Sequence, residues 1–201
     1  MTMSDAAGRL RIAVSQARAP SSDYDLNPDT VLPEGRSLRP AGVLVPVLTQ
    51  GETSRLYLTK RSSALKHHPG QIAFPGGKQD ESDADITAAA LREAHEEIGL
   101  APENVEVLGL MPAHETVTGF WVTPVIALVR EPFTPVPELG EVEEVFDVPL
   151  EHVLTPANFT VQSRRWRGSR RHYYTVPFGP YYIWGATARI LRSMADALES
   201  R

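Results

Sequence analysis

The spacing of apolar positions changes several times along the chain, and each change marks an element. Over residues 5–17, Leu10, Ile12, Ala13 and Val14 give a weak helical pattern. Residues 20–40, rich in Pro, Ser, Asp and Gly, read as a connection, so residues 1–40 are expected to form a flexible or wrapping N-terminal extension, a short helix plus linker, ahead of a domain over 41–201. Val43-Leu44-Val45-Pro46-Val47-Leu48 and Arg55-Leu56-Tyr57-Leu58-Thr59 are β-prone runs split by Gln50-Gly51-Glu52, which predicts two paired strands. Residues 62–77 have few apolar anchors and end in Phe74-Pro75-Gly76-Gly77, a short strand running into a tight glycine turn.

A helix is predicted over about residues 84–98. Ile86, Ala89, Ala90, Ala94 and Ile98 recur near helical spacing, Ser82 and Asp83 are candidate N-caps, and Gly99 follows the end. Strands are expected over 105–110 and 122–129, the second near an edge or bulged because Pro124 cannot donate a ladder bond. Residues 143–150 form a further strand candidate. Residues 160–166 and 172–176 flank Arg167-Gly168-Ser169-Arg170, a hairpin signature. Residues 186–198 form an amphipathic closing helix through Ile190, Leu191, Met194 and Leu198. The fold class is α+β, with a mixed sheet, a central helix and a C-terminal helix.

Composition narrows the function. With 42% hydrophobic and 22% charged residues in a chain of 201, globally disordered and collagen-like classes drop out. A net charge of −5 argues against a general nucleic-acid or membrane-surface binder. The absence of cysteine removes disulfides, thiolate catalysis and sulfur-ligated zinc. No stretch approaches the roughly 20 apolar residues that span a bilayer, and Asp5, Arg9, Arg11 and Arg18 interrupt any secretory h-region, so a cytoplasmic protein is the default expectation.

The informative run is Arg92-Glu93-Ala94-His95-Glu96-Glu97-Ile98-Gly99. On a helix, Glu93, Glu96 and Glu97 stand at i, i+3 and i+4 and project from one face within a turn. Like charges at that spacing repel, and Glu96 and Glu97 fall in the last turn, where the helix dipole favours cations. A bound divalent cation reverses both penalties, and hard oxygen ligands suit Mg²⁺ or Mn²⁺. The glycines of Phe74-Pro75-Gly76-Gly77 let backbone approach a ligand closely or leave a carbonyl as a further oxygen donor. The six histidines show no metal-ligand spacing.

Residues 77–100 resemble the Nudix box, Gly-x5-Glu-x7-Arg-Glu-U-x-Glu-Glu-x-Gly-U, where U is a bulky aliphatic residue. Ala94 is small where U is expected; Gly77 lies fifteen residues before Arg92 instead of fourteen, so Asp83 or Ala84 stands where the first Glu would be. Upstream, residues 57–77 are similar to the signature of the coenzyme A pyrophosphatase branch, Leu-Leu-Thr-x-Arg-(Ser/Ala)-x3-Arg-x3-Gly-x3-Phe-Pro-Gly-Gly, with Tyr57 for the first Leu and Lys66 for the second Arg. The resemblance implies a Nudix-type α/β/α sandwich and metal-dependent attack of water on a pyrophosphate. It makes Glu93 and Glu97 the principal metal ligands, Glu96 a further or water-mediated one, the Gly77 carbonyl another, and Arg92 the residue that orients the carboxylates. Glu96 and Glu141 are both candidates for the general base.

Charge segregation points to the substrate. Residues 160–192 contain seven Arg and no acid, and residues 55–71 contain Arg55, Lys60, Arg61 and Lys66 with none, a basic pole suited to phosphates. Arg61, Lys66, His67 and His68 are the expected substrate contacts. The expected reaction is hydrolysis of coenzyme A or a derivative to 3′,5′-ADP and 4′-phosphopantetheine, with a small-molecule substrate, no nucleic-acid partner, no membrane and a homodimer as one possible assembly. The alternatives are a Nudix hydrolase for ADP-ribose, NADH, a dinucleoside polyphosphate or capped RNA, and a module that binds nucleotide or RNA without catalysis.

Overall fold

The computed structural model describes residues 3–32, 35–166 and 168–199. The elements run α1 (Met3–Gln16), β1 (Ser21–Ser22), β2 (Arg39–Gln50), β3 (Thr53–Arg61), β4 (Ile72–Ala73), β5 (Gly76–Lys78), α2 (Ile86–Ile98), β6 (Val105–Leu110), β7 (His114–Glu115), β8 (Phe120–Val129), β9 (Val142–Pro149), α3 (Leu150–Leu154), β10 (Thr160–Trp166), β11 (Ser169–Thr175) and α4 (Gly185–Glu199). Nine of these strands form one mixed sheet, and β10 and β11 form a separate antiparallel ribbon. Arg167, at the tip of that ribbon, lies outside the described residues.

The centre of the sheet is β2 beside β8, paired in parallel from Arg39–Phe120 to Leu48–Val129. Both strands are continuous apolar runs because both faces are covered. Leu44 and Leu48 of β2, with Val125, Ala127 and Val129 of β8, pack on Ala90, Ala94 and Ile98 of α2. The alternate residues Val45, Val47, Ile126 and Leu128 face a second cluster that includes Ala6 and Leu10 of α1, Leu150, Val153 and Leu154 of α3, and Ile190, Leu191 and Met194 of α4. The α/β/α expectation thus holds, and part of the N-terminal forty residues lies in the same core as the sheet.

Two local expectations are corrected. Of the edge or bulge expected there, the edge is absent, since β2 pairs one side of β8 and β6 and β7 share the other, whereas the β6 pairing does shift register between Val107 and Gly109. Pro124 falls where that second side passes from β7 to β6, its carbonyl accepting from Met111 N–H at 3.0 Å, so its missing donor coincides with a break in the ladder. The glycine pair is not a turn after a strand: Gly76 and Gly77 lie within β5, opposite Val43 and Gly42.

Candidate active site

Helix α2 starts later than the sequence suggests. Asp85, not Ser82 or Asp83, is the N-cap, its carboxylate accepting from Ala88 N–H at 2.8 Å, and the helix ends at Gly99 in the left-handed region. Its inner face carries small residues because the helix lies almost on the sheet: a Cβ on Gly42 of β2 would stand 2.5 Å from the Ile86 carbonyl oxygen and 3.2 Å from the Ala90 methyl. The same closeness accounts for Ala94, fully buried against β2 and β8, where a bulkier residue is usual in the box.

With that face on the sheet, the carboxylates meet β5. Glu97 is buried, and its Oε2 accepts from Gly76 N–H at 2.9 Å. Burial pushes its pKa up to about 7; Glu93 and Glu141 push the same way, while the Gly76 N–H and the charge of Arg61 oppose. Glu93 is half-buried and also raised, by burial first and by Glu96 and Glu141, against the pull of Arg92. A Cβ on Gly77 would lie 2.5 Å from the Glu93 carboxyl carbon, so any larger residue there would push that carboxylate out of its present place.

Arg92 ties the acids together. Its Nε and Nη2 donate to the two oxygens of Asp83 at 2.9 and 3.0 Å, and its Nη1 donates to Glu93 Oε1 at 3.0 Å and Glu96 Oε2 at 2.9 Å. Asp83 is thereby the acid that fills the first position of the box; Ala84 plays no such part. The fork also holds the Asp83 carboxyl below its usual range. Glu96 is the most exposed of the helix acids and is drawn toward Arg92. Among the described residues no three Asp, Glu or His side chains converge as they stand into a ready cation site. The donor chemistry nonetheless fits a hard dication at Glu93 and Glu97: two carboxylates one turn apart, both made costly as anions by burial, beside backbone that admits no side chain.

A cleft of about 280 Å³ is lined by Gly76, by residues of the β4 segment and α4, and by the β10–β11 ribbon. Arg61 and His68 line it. The Arg61 Nε is buried with no hydrogen-bond partner among the described residues. His68 sits at φ 55°, and burial, Arg61 and His67 lower its pKa. Lys66 and His67 are exposed and do not line the cleft. Glu141 is exposed and its charge reaches both Glu93 and Glu97; its carbonyl accepts from Ser62 N–H at 2.8 Å. The basic pole of residues 55–71 is partly cancelled in space, because Arg55 pairs with Asp147 and Lys60 with Glu143, both across the β3–β9 pairing.

Other lining residues escaped the sequence reading: Asp23, Thr116, Thr118 and His172. Asp23 belongs to the N-terminal forty residues. One of its oxygens meets His114 Nε2 at 3.1 Å and the other accepts from Val117 N–H at 2.8 Å, while Ser21 Oγ meets His114 Nδ1 at 2.9 Å. Asn27 then reaches the ribbon, donating to His172 O at 2.9 Å and accepting from His172 N–H at 2.8 Å. A Ser-x-Asp pair far from its buried histidine has no local spacing that would reveal it.

Residues 38–169 match the family model described as the NUDIX domain. The chain belongs to the Nudix hydrolase family. It is 39% identical over 183 residues to the uncharacterized Nudix hydrolase NudL of Enterobacter sp. (strain 638), covering 86% of this chain and 95% of that protein. Its match to the protein of the same name from Klebsiella pneumoniae (strain 342) is 38% over 191 residues, 90% of this chain and 99% of the relative. A crystal structure of a MutT/nudix family protein from Enterococcus faecalis superposes with a TM-score of 0.50 at 16% identity, covering 86% of this chain and 66% of that one, a likeness of fold alone. The Nudix match begins at residue 38, so Asp23 and Asn27 lie outside it. No described helix is long and apolar enough to cross a membrane.

Proposed function

We propose that this Nudix hydrolase cleaves the pyrophosphate of coenzyme A or a derivative, releasing 3′,5′-ADP and 4′-phosphopantetheine. The observation that carries the reading is the shared cleft: Arg61 and His68, from the segment similar to the coenzyme A signature, open onto the same space as Gly76, whose N–H holds Glu97. A diphosphate placed there would meet the Arg61 cation and the backbone of Gly76, which is tied to the carboxylate helix through Glu97.

In this reading Glu93 and Glu97 hold a Mg²⁺ or Mn²⁺ ion, with Glu96 and the Gly77 carbonyl as further oxygen donors. Such an ion, when bound, neutralises phosphate oxygens and lowers the pKa of a water. The chain's own part is positional. Arg92, clamped by Asp83, fixes Glu93 and Glu96; Gly76 N–H aims Glu97; Arg61, with its unsatisfied Nε, meets phosphate oxygen in a buried setting where that contact counts most. Lys66 and His67 would meet substrate from the exposed loop beside His68. The proton of the attacking water goes to Glu141 or Glu96, and pH–rate profiles of Glu141→Gln and Glu96→Gln separate the two, since only loss of the base removes the acidic limb.

The test is hydrolysis of coenzyme A beside ADP-ribose, NADH and capped RNA, with and without Mg²⁺ or Mn²⁺, in wild type and Glu97→Gln. Metal-dependent release of 3′,5′-ADP that exceeds turnover of the others and vanishes in Glu97→Gln is the expected result. Turnover of ADP-ribose, NADH or capped RNA with coenzyme A untouched overturns the substrate and leaves the chemistry.

A further inference from the structure

The ribbon carries a second concentration of like charge that the hydrolytic chemistry does not use. Its register sets Arg164 directly opposite Arg171 and Arg165 directly opposite Arg170. Like charges across an antiparallel pair destabilise it. Arg165 and Arg170 are exposed, where solvent and salt screen the repulsion. Arg164, likewise exposed, and the half-buried Arg171 line the cleft.

Both guanidinium groups of that inward pair rest on aromatic faces. Arg164 Cζ stands 4.2 Å from the Trp184 ring centroid, and Arg171 Cζ stands 5.2 Å from that of Tyr24. Tyr173 meets Trp184 edge-on at 5.1 Å. The acid in this part of the cleft, Asp23, is already engaged by His114 and the Val117 N–H. The ribbon is pinned from the N-terminal side by the two Asn27 bonds to His172. The result is a preformed wall of flat rings and forked cations at the ribbon side of the cleft.

We propose that this end of the cleft is a subsite for a nucleoside that carries a phosphate of its own, with the base stacked on the Trp184–Arg164 pair and the phosphate held by Arg164 and Arg171. Stacking on an aromatic or guanidinium plane suits any base, and two arginine forks suit a doubly charged phosphate better than a hydroxyl. The assignment rests on the hydrolytic reading for its orientation, since Gly76, which also lines the cleft, is the residue whose N–H holds Glu97. It goes beyond that reading in naming Arg164, Arg171 and Trp184 and in predicting which half of the substrate lies at the ribbon.

The test is calorimetric titration, without added metal, of 3′,5′-ADP, 5′-AMP and 4′-phosphopantetheine into wild type, Arg171→Gln, Arg164→Gln, Trp184→Leu and Glu97→Gln, each first shown to be folded by circular dichroism. Wild type should bind 3′,5′-ADP about tenfold tighter than 5′-AMP, the worth of a charge-assisted contact. Either arginine variant should erase that preference, Trp184→Leu should weaken both nucleotides, and Glu97→Gln should retain the preference. Equal affinity for 3′,5′-ADP and 5′-AMP in wild type, tighter binding of 4′-phosphopantetheine than of either nucleotide, or a preference that survives both arginine changes overturns the subsite. A preference present while coenzyme A is not hydrolysed keeps the subsite and removes the hydrolytic reading; hydrolysis with no preference does the reverse.

Discussion

Helix α2 and the β10–β11 ribbon present the same problem with opposite sign. Each sets like charges in neighbouring positions, three acids on the helix and two inward and outward arginine pairs on the ribbon. The helix answers with a counter-charge inside its own turn: Arg92 bonds Glu93, Glu96 and Asp83 at once. Glu97 stays outside that fork and is the acid most displaced in pKa. The ribbon answers with flat rings supplied from elsewhere, Trp184 under Arg164 and Tyr24 under Arg171. One concentration is organised by the segment that carries it; the other depends on residues brought from both ends of the sequence.

Changes to the helix should therefore act on turnover, and changes to the ribbon on binding. The largest effect expected is from Glu97→Gln, a fall in hydrolysis of roughly a thousandfold in steady-state assays. The same change reads out the burial cost. Glu97 is raised from 4.5 to about 7 in the fold, so as an anion it opposes folding, and stability is lost as pH rises through that interval. Metal-free Glu97→Gln should melt close to wild type at pH 4 and above it at pH 8 in thermal scans. Next is Gly77→Ala, where the new methyl displaces the Glu93 carboxyl; about a hundredfold loss of kcat with little change in circular dichroism is expected.

Asp83→Ala releases one side of Arg92 and should cost about tenfold in kcat, with Asp83→Asn less harmful because it keeps an acceptor. On the ribbon side, Asn27→Ala should raise KM about fivefold while kcat holds, the value of unpinning one backbone clasp. Its failure to move KM would mean that the ribbon keeps its place without the N-terminal segment. The smallest effect belongs to Lys60→Gln, less than about twofold in either parameter, because Lys60 is occupied by Glu143 on an exposed strand face.

What could be read in the sequence was what lies close in it. The strands from 43 to 59, the helix ending at Gly99, the hairpin around Gly168 and the closing helix all follow from period and punctuation. So does the acid face, since Glu93, Glu96 and Glu97 share one turn. The N-cap slipped to Asp85 because three Asp or Ser residues compete there and Asp83 is taken by Arg92 nine positions on. Of the edge or bulge expected for 122–129, the edge failed because a proline can sit in a central strand where its ladder is already broken, while an irregular register does occur in the pairing with β6. The basic pole was overestimated because a run without acids in sequence can still face them across strands, as Arg55 and Lys60 face Asp147 and Glu143. Asp23 and Asn27 carry no signal at all, since their neighbours lie far along the chain.

Helix α1 has a consequence for how the protein comes into being. Ala6, Leu10 and Ala13 are buried on a helix that packs on α4 as well as on β6, so part of that apolar face stays uncovered during synthesis until α4 has been made. Docking α1 on α4 joins segments far apart in sequence, a contact that is slow and entropically costly to form. The cleft wall, clasped by residues just after α1, thereby depends on a contact of long sequence separation and not on closure of the sheet alone.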